Sequence, residues 1–230
     1  MTDTRLPYEN RRQAGRALAG VLAHYRGRPK LLVLALPRGG VPVGFEVAMA
    51  LEAPLDILVV RKLGFPGHKE YAIGAIASGG VRVMNPLPGM TVSPGALAEV
   101  VASEQAELVR REQLYRGQRP AIEVRGRTVI VVDDGLATGA TMRAALLAIR
   151  QQQPVRLVVA VPVGAAESCR ELQDLADEVV CPATPEPFRA VGLWYREFPQ
   201  TGDDEVRTLL EDSRRLHARS VHLHAQEDSP

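Results

Sequence analysis

The chain is expected to adopt an α/β fold, a doubly wound parallel sheet flanked by helices, on three observations. Short continuous apolar runs, LLVLAL (31–36), TVIVV (128–132) and VRLVVAV (155–161), have the length and composition of strands buried on both faces. Segments with apolar residues at three- and four-residue steps lie between them. Glycine-bearing loops, PRGG (37–40) and DDGLATG (133–139), join strand to helix. Strands alternating with helices imply right-handed crossovers and a parallel sheet covered on both sides.

Taken in order, Ala14, Leu18, Val21, Leu22 and Tyr25 share one face of a helix over 10–25, which Gly27 and Pro29 end. After LLVLAL and PRGGVPVG, the spacing of Val43, Val47, Ala50 and Leu51 predicts a second helix. Asp56 to Val60 reads as the second buried strand, closed by Arg61 and Lys62. LGFPGHKEY (63–71) reads as a loop, and AIGAIA (72–77) and VRVM (81–84) as short strands. Ser93 and Pro94 form an N-cap and first-turn pair for the longest expected helix, reaching about Tyr115 before Gly117. The second round follows: TVIVV strand, DDGLATG loop, helix ATMRAALLAIR (140–150), strand VRLVVAV, a helix over 166–175 and strand EVVC (178–181).

CPATPEPFRAVGLWYREFPQ (181–200) breaks this rhythm. It holds Phe188, Tyr195 and Phe198 beside the single Trp194, and such a cluster more often fills a small core than stacks on a ligand. DDEVRTLLEDSRRLH (203–217) reads as a terminal helix. The expected organisation is therefore a core over 1–181 containing a mobile lid segment at 63–92, a hood over 182–217, and a disordered tail over 218–230. His222 and His224 fall in that tail as solvated side chains.

Composition excludes several classes. Of 230 residues, 46% are hydrophobic and 24% charged, which suits a packed globular chain. Basic and acidic residues number 28 and 27, a net charge of +1, so no broad basic surface exists for nucleic acid or an anionic membrane. No apolar run reaches the roughly 18 residues of a spanning helix, and the opening residues lack a secretory apolar region, so a cytoplasmic protein is expected. Cys169 and Cys181 have no zinc-type spacing and are expected as reduced buried thiols. Lysine occurs three times, and Lys62 and Lys69 lie close together.

The chemistry concentrates in VIVVDDGLATGAT (129–141). Adjacent acids at the carboxyl end of a parallel strand face the crevice where such sheets bind ligands, and Asp133 with Asp134 suits a vicinal diol. Gly135, Leu136, Ala137, Thr138, Gly139, Ala140 and Thr141 then form a loop opening a helix, where backbone N–H groups, threonine hydroxyls and the helix dipole suit a phosphate. Two alternatives, a receiver-type magnesium site and a Walker B strand, fit poorly. The acids lie past mid-chain, and no GxxxxGK[ST] accompanies them.

Residues 129–141 resemble the signature of the type I phosphoribosyltransferases, and the resemblance extends over roughly 30–165. It implies binding of phosphoribosyl pyrophosphate (PRPP), with Asp133 and Asp134 on the ribose hydroxyls and magnesium (Mg2+), and Gly135 to Thr141 around the 5-phosphate. Ala137 departs from the hydroxyl residue often found there. Arg38, Gly39 and Gly40 resemble the family's pyrophosphate loop, since a guanidinium fork pairs with phosphate oxygens and glycines admit the backbone. Arg61 and Lys62 resemble its cationic pair, and His68, Lys69, Glu70 and Tyr71 fall in the corresponding lid. A dinucleotide fingerprint is absent, because GGVPVG (39–44) is not GxGxxG.

The resemblance thus implies transfer of a phosphoribosyl group to a nitrogenous base with release of pyrophosphate, assisted by Mg2+. The catalytic set would be Asp133, Asp134, Arg61 and Lys62, and a homodimer is the family habit. A PRPP-sensing module without catalysis, or a hydrolase or phosphorylase of a phosphoribosyl compound, stays open. The acceptor base is not legible.

Overall fold

A computed structural model describes residues 6–66, 68–84 and 92–227, with side chains described outside 69–72 and 220–227. Helix α1 (Arg11–Val21) opens on Asn10, whose side chain accepts the Gln13 N–H at 3.0 Å, and passes through a 3-10 turn at Ala23–Tyr25. Strand β1 (Leu31–Ala35), α2 (Gly40–Leu51) and β2 (Leu55–Ile57) follow. After β3 (Val60–Phe65), β4 (His68–Ala77), β5 (Val81–Met84) and α3 (Pro94–Arg116) the parallel pattern resumes: β6 (Thr128–Val132), α4 (Ala140–Gln151), β7 (Arg156–Ala160), α5 (Ala166–Glu171), β8 (Glu178–Val180) and α6 (Asp203–Glu227).

The main sheet has the order β2-β1-β6-β7-β8, and every neighbour is parallel. Its apolar runs sort by the strand's period of two. Leu31, Val33, Ala35, Ile130, Val132, Val158 and Ala160 face the core under α1, α2, α3 and α6. Leu32, Leu34, Val129, Val131, Leu157 and Val159 face the other, under α4 and α5. The chain leaves β1 for one face and β6 for the opposite face. The connections after these two adjacent strands therefore run to opposite faces, which makes the carboxyl ends of β1 and β6 the switch point, the place at which such sheets bind ligands.

Several expectations change. The second strand is three residues long and ends at Ile57. Leu58 and Val59 are buried in crossing to a separate antiparallel sheet, β3-β4-β5, so Arg61 and Lys62 lie on β3 rather than at a parallel strand's end. Segment 63–71 is not an open loop: β3 and β4 pair from Val60↔Ala77 to Phe65↔His68, because Val60, Leu63 and Ile73 supply apolar residues that the glycine and proline content masked. The longest helix is α6, with 25 residues against 23 for α3. It runs ten residues past His217, since 218–227 contains no glycine or proline to stop it. Residues 228–230 of the expected tail lie outside the described residues, as do Gly67 and residues 85–91 of the lid segment. Ser93 caps α3 by accepting the Ala96 N–H at 3.3 Å, and Gly117 ends it at φ +67°, as expected. Among the described residues, no helix is long and apolar enough to cross a membrane.

Residues 182–198, part of the expected hood, join the amino-terminal segment. Tyr8 donates its N–H to Trp194 O at 2.9 Å, Arg196 returns one to Tyr8 O at 2.8 Å, and Tyr8, Ala14, Val163, Ala183 and Tyr195 form a third small core. The aromatic cluster is therefore packing, with Tyr195 buried and Phe188 stacked on Trp194 at 6.2 Å.

Candidate functional site

At the switch point the two loops approach closely. Strands β1 and β6 run in register, Ala35 beside Val132, and Leu36 donates its N–H to Val132 O at 2.9 Å. The PRGG turn then crosses directly over the acid pair. A Cβ on Gly39 would stand 2.0 Å from Asp134 Oδ2, and one on Gly40 would stand 2.7 Å from Val132 O and 2.9 Å from Asp133 Cα. Only glycine permits this contact, which brings two motifs about 95 residues apart in sequence into one site.

The acids are held differently. Asp133 Oδ1 accepts the N–H of Asp134 at 2.8 Å. Asp134 Oδ2 accepts Nε–H of Arg11 at 2.8 Å, with the two side chains only 10% and 16% exposed. Burial, followed by the neighbouring charge of Asp134, pushes the Asp133 carboxyl well above the usual range. Burial also raises Asp134, against the lowering pull of Arg11. Two neighbouring carboxylates, of which only Asp134 is paired with a guanidinium, form a site short of positive charge.

The loop after the acids presents free backbone donors. Gly139 sits at φ +68° and starts α4 without any side-chain cap, leaving first-turn N–H groups for a ligand. Ala137, Thr138 and Thr141 are exposed there. The rest of the loop is anchored: Leu136 N–H donates to Val163 O at 3.0 Å, Ala165 N–H to Leu136 O at 2.8 Å, and Ser168 Oγ–H to Ala137 O at 2.5 Å.

Arg38 lies at the mouth with Nη1 3.6 Å from Asp203 Oδ1, and Asp203 also accepts the Tyr115 hydroxyl at 2.6 Å. Arg61 and Lys62, expected in the crevice, have their described contacts elsewhere. Arg61 pairs with Glu104 of α3 at 2.6 Å, and Lys62 lines a groove with Phe65, Glu99 and Glu104. The cause is the early end of β2, which hands these residues to the antiparallel sheet. His68 begins β4, and the side chains of Lys69, Glu70 and Tyr71 lie outside the described residues.

Residues that sequence reasoning missed complete the site. Arg11 donates through Nη1 to Pro199 O at 2.6 Å while its guanidinium lies 3.7 Å from the Phe198 ring centre, so it ties Asp134 to the hood. Tyr195 donates its hydroxyl to Asp134 O at 2.5 Å, and burial drives that phenol strongly upward, so it stays protonated. An arginine just after the Asn10 cap looks like ordinary helix surface. Nothing local distinguishes Arg11 from Arg12, whose Nε–H reaches Glu46 at 2.6 Å.

Among the described residues, no group of three or more His, Cys, Asp or Glu could enclose a metal. Mg2+ commonly takes only one or two carboxylates and completes its shell with water and substrate phosphates. The under-neutralised Asp133–Asp134 pair fits a magnesium ion of that kind.

Residues 8–193 match the model of the phosphoribosyl transferase domain. A protein of Mycobacterium tuberculosis strain H37Rv named "Putative phosphoribosyl transferase" is 46% identical over 225 residues, 97% of this chain and 51% of that protein. The corresponding protein of strain CDC 1551 matches to the same extent. The chain thus spans about half the length of the curated relatives it matches. The crystal structure of TT1426 from Thermus thermophilus is similar at TM-score 0.80 and 42% identity, over 89% of this chain and 98% of that one. With the acid pair, the glycine turn after it and the PRGG loop assembled at one switch point and the family model covering 8–193, the chain belongs to the phosphoribosyl transferase domain family.

Proposed function

We propose that the crevice binds PRPP with Mg2+ and that the chain transfers the 5-phosphoribosyl group to a nitrogenous base, releasing pyrophosphate. The contact of Gly39 and Gly40 with Asp134 and Asp133 carries this reading, because it sets a pyrophosphate-type loop directly against a ribose-type acid pair. In the reaction the bond from the anomeric carbon to a pyrophosphate oxygen breaks as a bond to the base nitrogen forms, through an oxocarbenium-like transition state.

Each element has a part. The uncapped turn 135–141 holds the 5-phosphate, Asp133 and Asp134 hold the ribose hydroxyls, and Arg38 with the Gly39–Gly40 backbone receives the pyrophosphate. Asp133 and Asp134 would hold Mg2+, which would supply positive charge to the pyrophosphate leaving group. Arg11 and Tyr195 hold Asp134 in place. Such positioning contributes to the rate without any protein nucleophile. A role for Arg61 and Lys62 at the pyrophosphate and a lid role for His68, Lys69, Glu70 and Tyr71 belong to the same proposal. So do a homodimer and a cytoplasmic setting.

The test is calorimetric titration of PRPP with Mg2+ into wild type and an Asp133→Asn/Asp134→Asn double variant, then pyrophosphate release across a panel of bases. Binding lost in the variant and release with at least one base are expected. Equal binding by both proteins sinks the site. Binding without release from any base turns the reading toward a PRPP sensor.

A further inference from the structure

A small cavity lies at the β2 edge of the main sheet, where the chain following α3 folds back. Gly117, at φ +67°, ends α3, and Asp56 on β2 pins the segment after it by accepting the Ile122 N–H through Oδ2 at 3.1 Å. Oδ1 of Asp56 accepts the Ile57 N–H at 2.8 Å and Arg116 Nε–H at 3.1 Å. Between this segment, β2 and α6 the structure leaves a space of about 80 Å³, with Leu55, Pro120, Ile122 and Leu210 as its apolar lining. A single water needs roughly 10–15 Å³ by this measure, so a tetrahedral oxyanion fits.

The polar lining is cationic. Arg116 is already committed: besides Asp56 it donates to Glu112 at 3.1 Å and to Ile57 O at 2.9 Å. Arg119 and Arg214 line the same cavity and are committed only through Nε–H, Arg119 to Arg116 O at 2.9 Å and Arg214 to Leu210 O at 2.8 Å. Among the described residues neither has a carboxylate within 4.0 Å, and the terminal amino groups of both have no partner. Burial, followed by the charge of Arg119, lowers the Arg214 guanidinium, while Asp56 and Glu211 offset part of that repulsion. Arg119 is exposed and Arg214 half-buried, so the cavity is entered from the Arg119 side.

We propose that Arg119 and Arg214 form a binding site for a phosphate dianion, either inorganic phosphate or the phosphate of a monoester, separate from the switch-point site. The charge of Arg116 is balanced by Asp56 and Glu112, so Arg119 and Arg214 set the valence of the ligand at two negative charges. Their planar forks match phosphate oxygens, and hydrogen bonds assisted by charge on both partners are the strong ones. The free ion needs only the two forks, whereas a monoester also sets its organic part against Pro120 and Ile122. Arg214 stands eleven residues along α6 from Asp203, the neighbour of Arg38, a distance of about 16 Å at the α-helical rise. The site therefore does not rest on the PRPP reading.

Phenylglyoxal modification mapped by peptide mass spectrometry reads each guanidinium separately. The protein is modified in chloride, in inorganic phosphate and in glycerol phosphate at matched ionic strength. Either phosphate should slow modification of Arg119 and Arg214 with one shared midpoint concentration, and exposed Arg125 should react equally in all three. The lower midpoint assigns the source, free ion or monoester. Arg119→Met changes an exposed side chain and should raise the midpoint for protecting Arg214 by about tenfold or more, since a hydrogen bond to a charged group contributes at least a power of ten. Asp133→Asn/Asp134→Asn should keep the protection. Equal modification of Arg119 and Arg214 in chloride and in both phosphates overturns the site. So does undiminished protection of Arg214 in Arg119→Met, or protection lost in the Asp133→Asn/Asp134→Asn variant. Failure of PRPP to bind refutes the proposed function alone and leaves these outcomes to decide the phosphate site.

Discussion

Replacing Gly39 with Ala tests the contact on which the site depends. The new Cβ would lie 2.0 Å from Asp134 Oδ2 and 2.7 Å from Asp134 Cγ, against an ordinary carbon–oxygen separation of about 3.2 Å or more, so the carboxylate must retreat by roughly 1 Å. It has little room, because Arg11 holds Oδ2 at 2.8 Å and Tyr195 holds the Asp134 carbonyl at 2.5 Å. Overpacking of this kind costs about 1–3 kcal/mol, which for a chain of this size lowers Tm by roughly 2–12 °C. Misplacement of a binding group by about 1 Å can cost on the order of 100-fold in activity. The expected variant is folded, lower in Tm, and at least tenfold weaker in calorimetric PRPP binding. Adding Asp134→Ala removes the clashing atoms but also the partner of Arg11, so the Tm losses of the two substitutions should be less than additive and the affinity should not recover. Gly39→Ala with wild-type Tm and wild-type PRPP affinity would refute the reasoning.

Other predictions follow from the same geometry. Arg11→Met removes the guanidinium facing Asp134 and should lower stability by about 2–4 kcal/mol, while PRPP binding weakens, measured by urea unfolding and calorimetry. Arg116→Met strips the buried partner of Asp56, a pair at 3.1 Å with both side chains under 10% exposed, and should cost about 3–5 kcal/mol with no direct loss of ligand contacts. The raised carboxyls of Asp133 and Asp134 bind protons in the fold to higher pH than in the unfolded chain. Their contribution to stability is thus full below the unfolded carboxylate range and is lost as pH rises through the raised values. Tm of ligand-free protein should show this downward component, and Asp133→Asn should flatten it. Binding of Mg2+ and PRPP to the ionised pair should release protons, seen as a buffer-dependent binding enthalpy, and should tighten over the same rise in pH.

Much of the fold was legible because local physics encoded it. Continuous apolar runs at 31–36 and 128–132 could be stable only where a sheet is covered on both faces, and Ser93, Pro94 and Gly117 bounded α3 correctly. The antiparallel sheet was harder to read. Leu63 and Phe65 alternate as in a strand, yet the glycine and proline beside them read as a loop, and only pairing with 68–77 resolves the competition. The acid pair and its turn announced themselves through residues close in sequence. Arg11 and Tyr195 could not, since each acquires its role from a partner more than 60 residues away.

The sequence alone therefore determined the strand–helix rhythm, the acid pair, the glycine turn that opens α4 and the glycines before α2, all features that lie within one short segment. Tertiary structure decided that PRGG lies against Asp133 and Asp134, that Arg61 pairs with Glu104 of α3 while Lys62 lines a groove beside that helix, and that Arg11 and Tyr195 hydrogen-bond to Asp134. These are contacts between segments far apart in the chain, set by strand order and by where each strand ends, and residue spacing carries no direct record of either.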